Sequence, residues 1–499
     1  MCLAPLLVAL DRLPPDTRWK RVLAIGWLMG FVTNAGGFPW VLSLLVRFGH
    51  LPLFGALPLF ALLIGYQGLM YALFALVHRA LRRRGLPATL AAPLALVPLE
   101  LVYPMVFPWY LAINQAWVPR GIQLAELTGP TGISALLALG AGVVADLVAW
   151  RSGAALPKRV IAVALAVLAV NPLLGSLRIR QIAARRAAAP QVRVGVVQGN
   201  VPQLEKFDPR FARKQLDAHQ AAARELARQG AELIVWPESS YPGMVERDQW
   251  RDWPVGDGLR IRDGWDIPSL VGTPTGVMDE KNPLAWNSAV MIAKDDRFTG
   301  RFDKNYLMIF GEYIPFYRWL PQFREWFPEA SNWERGEGIA VFPFERLDPR
   351  TGQAQAFRLA PIICYEDIIP AFVRKYASER IHLIVNITND AWFGKTGEPY
   401  EHLQLAVYRS IELRRDMVRA VNTGTTSFVS ATGEVWRMGP VFDPVSETVT
   451  PITFLERVSM LEGDTVYGRV GDVFGIGCSI ILLGVLVRRR RRPAPSALG

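Results

Sequence analysis

The chain has 499 residues, 51% of them hydrophobic and only 20% charged, with a formal net charge of +11. This composition excludes intrinsic disorder, and the length exceeds what one compact core supports, so two or more structural units are expected. Three cysteines (Cys2, Cys364 and Cys478) exclude a disulfide framework, five scattered histidines give no metal-ligand spacing, and the surplus positive charge lies beside apolar segments, which points to a membrane and not to nucleic acid.

The first eleven residues are apolar but too short to span a bilayer. A signal-like segment, a truncated helix and an interfacial piece all remain open, and no cleavage site follows. Apolar stretches at 21–46, 51–77, 88–107, 131–150 and 159–176 approach or exceed the ~20 residues a crossing helix needs. Residues 1–177 are therefore expected to form a helical membrane bundle of about five spans. A further apolar stretch at 473–487 is marginal unless Gly471 is included, which gives an expected C-terminal span over 471–488. It ends in the arginines at 488–492. Basic residues in short loops set orientation. Arg18, Lys20 and Arg21, then Arg79, Arg82, Arg83 and Arg84, then Arg151, Lys158 and Arg159 fall on one side, expected to be cytoplasmic. An odd number of crossings then places the middle of the chain outside. Arg178, Arg180, Arg185 and Arg186 run against this count, although long external segments translocate largely regardless of charge. Glu100 and Asp146 lie inside expected spans and are read as structural groups between helices.

From about residue 190 to 456 the pattern changes. Short β-branched runs at 192–198, 233–236, 269–272, 289–293, 359–364, 382–387 and 427–430 read as strands. Polar-faced stretches at 211–229 and 403–421 read as helices, with Arg409 and Glu412 as an internal pair. Strands alternating with helices give an α/β layered domain. The Ala/Arg-rich stretch 178–189 is the expected joint.

Three loci each follow an expected strand: Trp236-Pro237-Glu238, Asp303-Lys304 through Gly311-Glu312, and Ile363-Cys364-Tyr365-Glu366. Sites gather at the carboxyl ends of strands in such sheets. A cysteine, a lysine and a glutamate meeting there make a nucleophilic centre, with a thiolate to attack, a carboxylate to carry protons and an ammonium to stabilise negative charge. Taken singly, the cysteine reads first as a small buried hydrophobe, the Pro-Glu turn as structural and the lysine as a solvated or paired surface group.

The motifs Val197-Gln198-Gly199-Asn200-Val201-Pro202-Gln203, Trp236-Pro237-Glu238-Ser239, Lys304-x-x-Leu307-x-x-Phe310-Gly311-Glu312, Ile363-Cys364-Tyr365-Glu366 and Asn389-Asp390-Ala391-Trp392-Phe393-Gly394 occur in this order. Together they resemble the nitrilase-type domain of the apolipoprotein N-acyltransferases, strongly over about 190–480 and loosely, through Phe107-Pro108-Trp109, before it. The resemblance implies a nitrilase-like αββα sandwich inserted between transmembrane helices. It implies Cys364 as a nucleophile that becomes a thioester, Glu238 as general base and acid, and Lys304 as the cation at the oxyanion, with the Tyr365 N–H as second donor. It implies Glu312 as a support of the site, and Tyr365, Glu366, Trp392 and Phe393 as residues that support or line it. It further implies no cofactor or metal, a phospholipid donor (phosphatidylethanolamine), a diacylglyceryl apolipoprotein acceptor, and a bacterial inner-membrane protein with its catalytic domain on the periplasmic side.

Three departures stand against the family pattern. The family usually begins with about two more spans than are found here, either absent or lying upstream of residue 1, Ile309 replaces a proline, and Phe207 replaces a tryptophan. A membrane-tethered amidase using the same three residues, and a silent lipoprotein-binding homologue, are the rival readings. Between Lys304 and Cys364 an aromatic stretch (Tyr313, Phe316, Tyr317, Trp319, Phe323, Trp326, Phe327, Trp333) reads equally as a lipid-facing lid or as core packing.

Overall fold

The computed structural model describes residues 3–279, 283–309, 311–313, 319, 333–442 and 450–488. The chain divides into two units, one of Met1–Pro39, Phe54–Ser176 and Val470–Gly499, the other of Trp40–Leu53 and Leu177–Arg469.

The first unit is helical. Leu53–Arg83, Pro130–Arg151 and Lys158–Ala188 are long and apolar enough to cross a bilayer, and a fourth span results if Trp19–Gly37 and Pro39–Arg47, bent by 58°, are counted as one. The uninterrupted span expected over 21–46 is thus broken. Phe38 leaves helical geometry, and Pro39 has no N–H with which to continue the ladder. The stretch expected over 88–107 forms only Ala88–Val102, whose 15 residues measure about 22 Å against a hydrocarbon core of about 30 Å. Tyr103 turns extended ahead of Pro104, which ends the helix. The opening residues form a short helix, Ala4–Asp11, that buries Leu6, Leu7 and Leu10 in this unit's core. The stretch 178–189 is no loop: one helix runs unbroken from Lys158 to Ala188.

Small residues let these helices touch backbone to backbone. A Cβ at Gly30 would sit 2.5 Å from the Gly68 carbonyl oxygen, and one at Gly26 would sit 2.4 Å from that of Tyr71. This Gly-x-x-x-Gly face is the close-approach device of apolar helices. The two intramembrane acids are structural, as read from sequence. Asp146 caps the Ala88–Val102 helix from a neighbouring helix, accepting from the N–H groups of Ala88 (2.9 Å) and Thr89 (2.9 Å) and the Thr89 hydroxyl (2.7 Å). Glu100 accepts from the Leu111 N–H at 2.7 Å.

The second unit is layered α/β. Its strands are β1 (Gln191–Gln198), β2 (Leu233–Val235), β3 (Val245–Glu246), β4 (Ser269–Val277), β5 (Leu284–Ile292), β6 (Phe298–Asp303), β7 (Phe342–Leu347), β8 (Ala354–Ile363), β9 (Leu383–Thr388), β10 (Asp416–Val421), β11 (Ser427–Val429), β12 (Val435–Met438) and β13 (Ile452–Ser459). They form a seven-stranded sheet ordered β13-β1-β2-β4-β5-β6, with β3 on β4, and a six-stranded sheet ordered β12-β11-β10-β9-β8-β7. The sheets meet face to face, β1 opposite β10 and β5 opposite β8. Helix Pro209–Arg228 covers the first sheet, seating Leu216, Ala223 and Leu226 against Ile234, Trp236 and Val271. Helix Glu398–Leu413 belongs to the second sheet's side, where Pro399 accepts from the Thr425 hydroxyl at 2.9 Å.

Every strand expected from sequence falls on an observed one. The expected helix 403–421 does not survive whole: it stops at Leu413, Arg414 takes a left-handed conformation (φ 50°), and 416–421 is β10. Asp416 fixes the change, accepting from the N–H groups of Ala431 and Ser459, each at 2.9 Å, and pairing with Arg186. Arg409 and Glu412 form the expected ion pair, both fully buried.

Candidate active site

Four chain crossings converge on one cavity. Glu238 follows β2, Lys304 directly follows β6, Cys364 directly follows β8, and Asn389 directly follows β9. The parallel registers β1–β2–β4 and β8–β9–β10 bring strand ends to the same edge. Close backing holds the Glu238 loop. A Cβ at Gly272 on β4 would lie 2.2 Å from the Pro237 carbonyl oxygen and 2.7 Å from the Glu238 Cα.

Lys304 is 1% exposed, and its Nζ lies 3.0 Å from Glu238 Oε1 and 2.8 Å from Glu312 Oε2. Burial opposes its charge, but Cys364, Glu238 and Glu312 prevail and raise its pKa well above the ordinary lysine value. The two carboxylates are not equivalent. Glu312 uses both oxygens, Oε1 accepting from Asn287 Nδ2 (2.8 Å) and Oε2 from Lys304 and the Met308 N–H (2.8 Å). Glu238 uses only Oε1, with Asn287 Nδ2 at 2.6 Å and Lys304, and among the described residues its Oε2 has no partner. A proton carrier needs a free oxygen, so geometry alone separates the pair.

Cys364 sits in a left-handed conformation (φ 51°), a strained turn at the end of a buried strand. Burial pushes its thiol pKa well up, and Lys304 pulls only partly against this. Burial outweighs the lysine, which favours the protonated thiol at rest.

Glu366 is fully buried and does not line the cavity. It accepts from the N–H of Asn305 (2.6 Å) with Oε1 and from that of Ile363 (2.9 Å) with Oε2, tying the lysine's loop to the cysteine's turn. Burial raises its pKa to about 8. Tyr365 is partly buried, and burial raises its phenol pKa. Trp392 lines the cavity and packs edge-on against Phe48 (5.0 Å), whereas Phe393 turns away to pack against Trp40 (5.0 Å). Trp40 falls in a segment read from sequence as membrane span and Phe48 in the short link after it, yet both pack on this loop, and Trp40 Nε1 donates to Glu401 at 3.0 Å.

Sequence reasoning missed Asn287, Lys206 and Asn389, which also line the cavity. Asn287 lies mid-strand on β5 with no motif around it, while Lys206 and Asn389 stand inside or beside motifs already singled out. Of the aromatic stretch, Phe316, Tyr317, Phe323, Trp326 and Phe327 lie outside the described residues. Trp333 lines the cavity, Tyr313 lies under the Arg335 guanidinium, and Trp319 is 79% exposed.

Beneath the site His402 bridges Asp367 Oδ1 (2.8 Å) and Asp390 Oδ1 (3.2 Å), with Arg419 on Asp367 Oδ2 at 3.2 Å. Asp390, Glu398 and His402 are close enough to hold a metal ion by distance. Burial lowers the His402 pKa, but Asp367 and Asp390 carry it up to about 10, which favours an imidazolium that donates to both aspartates.

The chain matches the model of the apolipoprotein N-acyltransferase N-terminal domain over residues 1–143 and that of the carbon-nitrogen hydrolases over 193–443. It is 31% identical to an apolipoprotein N-acyltransferase of Geobacter metallireducens, over 95% of this chain and 87% of that protein. It is 31% identical to one of Azotobacter vinelandii, over 99% and 92%. An amidase from Nesterenkonia sp. of known structure covers 57% of this chain and 95% of its own at 18% identity, with a TM-score of 0.37. Identity at this level along nearly the whole length, with both domain models matched in order, makes the chain a member of the apolipoprotein N-acyltransferase family.

Proposed function

We propose that this protein transfers a fatty acyl chain from a phospholipid, through a thioester on Cys364, to the terminal amine of a diacylglyceryl apolipoprotein. The observation that carries this is the division of labour around Lys304: one carboxylate saturated, one with a free oxygen, and a neutral thiol in the same cavity. Glu238 Oε2 takes the Cys364 proton as Sγ bonds to the ester carbonyl carbon. Lys304 and the Tyr365 N–H hold the oxyanion. The C–O bond breaks, and Glu238 returns the proton to the departing lysophospholipid alcohol. The apolipoprotein amine then gives a proton to Glu238, attacks the thioester and expels the thiolate, which recovers that proton. Thioester to amide is downhill and requires no external energy source.

On this reading residues 1–177 and 471–488 are the membrane part, 190–456 is the catalytic domain, and Glu366, Trp392, Phe393 and Tyr365 support or line the site. The basic loops favour a multi-pass bacterial inner-membrane protein whose catalytic domain faces the periplasm, and the family resemblance suggests phosphatidylethanolamine as donor. Family membership favours neither the amidase nor the silent-homologue reading. The test is N-acylation of a synthetic diacylglyceryl-cysteine peptide by the full-length protein in phosphatidylethanolamine vesicles. We expect a peptide heavier by one acyl chain, blocked at its amine, with wild type and none with Cys364→Ala. Release of free fatty acid with an unmodified peptide would point to a hydrolase.

A further inference from the structure

The cavity holds a second lysine that the chemistry above does not use. Lys206 ends the short helix Gln203–Lys206, is 2% exposed, and lines the same cavity as Glu238, Lys304 and Cys364. Among the described residues its ammonium has no hydrogen bond and no ion pair. The carboxylates nearby do not supply one: Glu312 is saturated, and Glu238 Oε1 already accepts from Lys304 and Asn287. Burial draws the Lys206 pKa down to about 8, and the Glu238 charge acts on it through space. A buried ammonium without a partner is costly, and its three donors ask for an acceptor that arrives from outside.

We propose that Lys206 is the anion-binding group of the cavity and receives the phosphodiester of the glycerophospholipid donor. The proposal rests on the acyl-transfer reading. A phosphodiester is the anion common to glycerophospholipids whatever their head group, and it lies within one glycerol unit of the ester that Cys364 attacks. The surroundings fit an amphiphile: Phe207, beside Lys206, is half exposed, and Met308, Trp333 and Trp392 give apolar walls for the chain. A charge-assisted contact to phosphate fixes the ester against the nucleophile while leaving the rest of the head group unread, so head-group tolerance follows.

The test compares a donor that carries a phosphodiester head group with one that lacks it. Full-length wild type, Lys206→Met and Lys206→Arg are incubated with phosphatidylethanolamine or with diacylglycerol in mixed micelles, and the acyl adduct on Cys364 is followed by intact mass over time. Lys206→Met is expected to raise the apparent KM for phosphatidylethanolamine roughly tenfold. Because Lys206 and Glu238 act on each other through space, acylation by diacylglycerol is expected to change too, but about tenfold less than acylation by phosphatidylethanolamine, and Lys206→Arg to restore the phospholipid reaction. Inorganic phosphate is expected to leave wild-type acylation unchanged, because the site takes lipid-borne phosphate. Equal losses on both donors, no loss on either, or strong competition by inorganic phosphate would overturn the assignment while leaving acyl transfer intact. Failure of wild type to form an adduct from either donor would sink the acyl-transfer reading and this proposal with it.

Discussion

Around Lys304, two glutamates that look alike in sequence differ by one unpartnered oxygen. Glu238→Gln removes the proton carrier and should slow single-turnover acylation by roughly 10²- to 10⁴-fold. Glu312→Gln leaves one acceptor oxygen where two are used, so it keeps either the Asn287 contact or the Met308 N–H and Lys304 contacts, while the uncharged group leaves Glu238 in place. Its loss should be smaller, about tenfold. Rapid-quench measurement of thioester formation checks the order, and equal losses would refute the division of labour. His402 makes a second prediction. Its imidazolium has an ordinary pKa of 6.5 and a folded value of about 10, because Asp367 and Asp390 outweigh its burial. A group with a raised folded pKa contributes stability in full below its unfolded value and loses it as pH rises through the folded one. Thermal stability of wild type should therefore decline between pH 6.5 and about 10 more steeply than that of His402→Gln, which should be less stable at neutral pH by about 3 kcal/mol. Parallel pH profiles of the two would contradict the bridging role.

Among the elements, strand β4 and the Glu238 loop approach so closely that only glycine fits at 272. Gly272→Ala should push the loop away and lower acylation by about 100-fold, with Glu238 itself unchanged. An unaltered rate would show that the loop yields without consequence. The elements also show where sequence reasoning stops. Buried central strands such as β2, β8 and β9 announce themselves as β-branched runs bounded by turns. Edge and hairpin strands such as β6 (Phe-Thr-Gly-Arg-Phe-Asp) and β12 (Val-Trp-Arg-Met) carry polar residues at every second or third position and have no such signal. At 403–421 the apolar spacing continues across the turn at Arg414. Nothing in the local pattern marks the change, which is imposed by Asp416 and by pairing with β9 and β11. Glu238 and Cys364 are legible because each follows such a buried strand inside a motif, and Lys304 through its motif alone. Asn287 is not, because its role comes from a neighbour two strands away.

For the whole molecule, the telling feature is a segment that changes allegiance. Residues 40–46 and 51–53 are as apolar as their neighbours, and hydropathy alone assigns them to two membrane spans joined at 47–50. In the folded chain they belong with the catalytic unit, where Trp40 meets Phe393 and Glu401, and Phe48 meets Trp392. Trp40 is 5% exposed, so Trp40→Ala should destabilise this unit by about 3 kcal/mol. Calorimetry of the full-length protein in detergent checks this, and an unshifted transition would deny the packing any energetic weight. The same contacts bear on function, since the loop they brace carries Trp392 and Asn389 into the cavity.

The proposed reaction has Cys364 Sγ carry the acyl chain. Intact-protein mass spectrometry after incubation with phosphatidylethanolamine tests that most directly. Wild type should gain the mass of one acyl chain, removable by hydroxylamine, and Cys364→Ala should gain nothing. An adduct that survives in Cys364→Ala, or none in folded wild type with any phospholipid, would contradict the account.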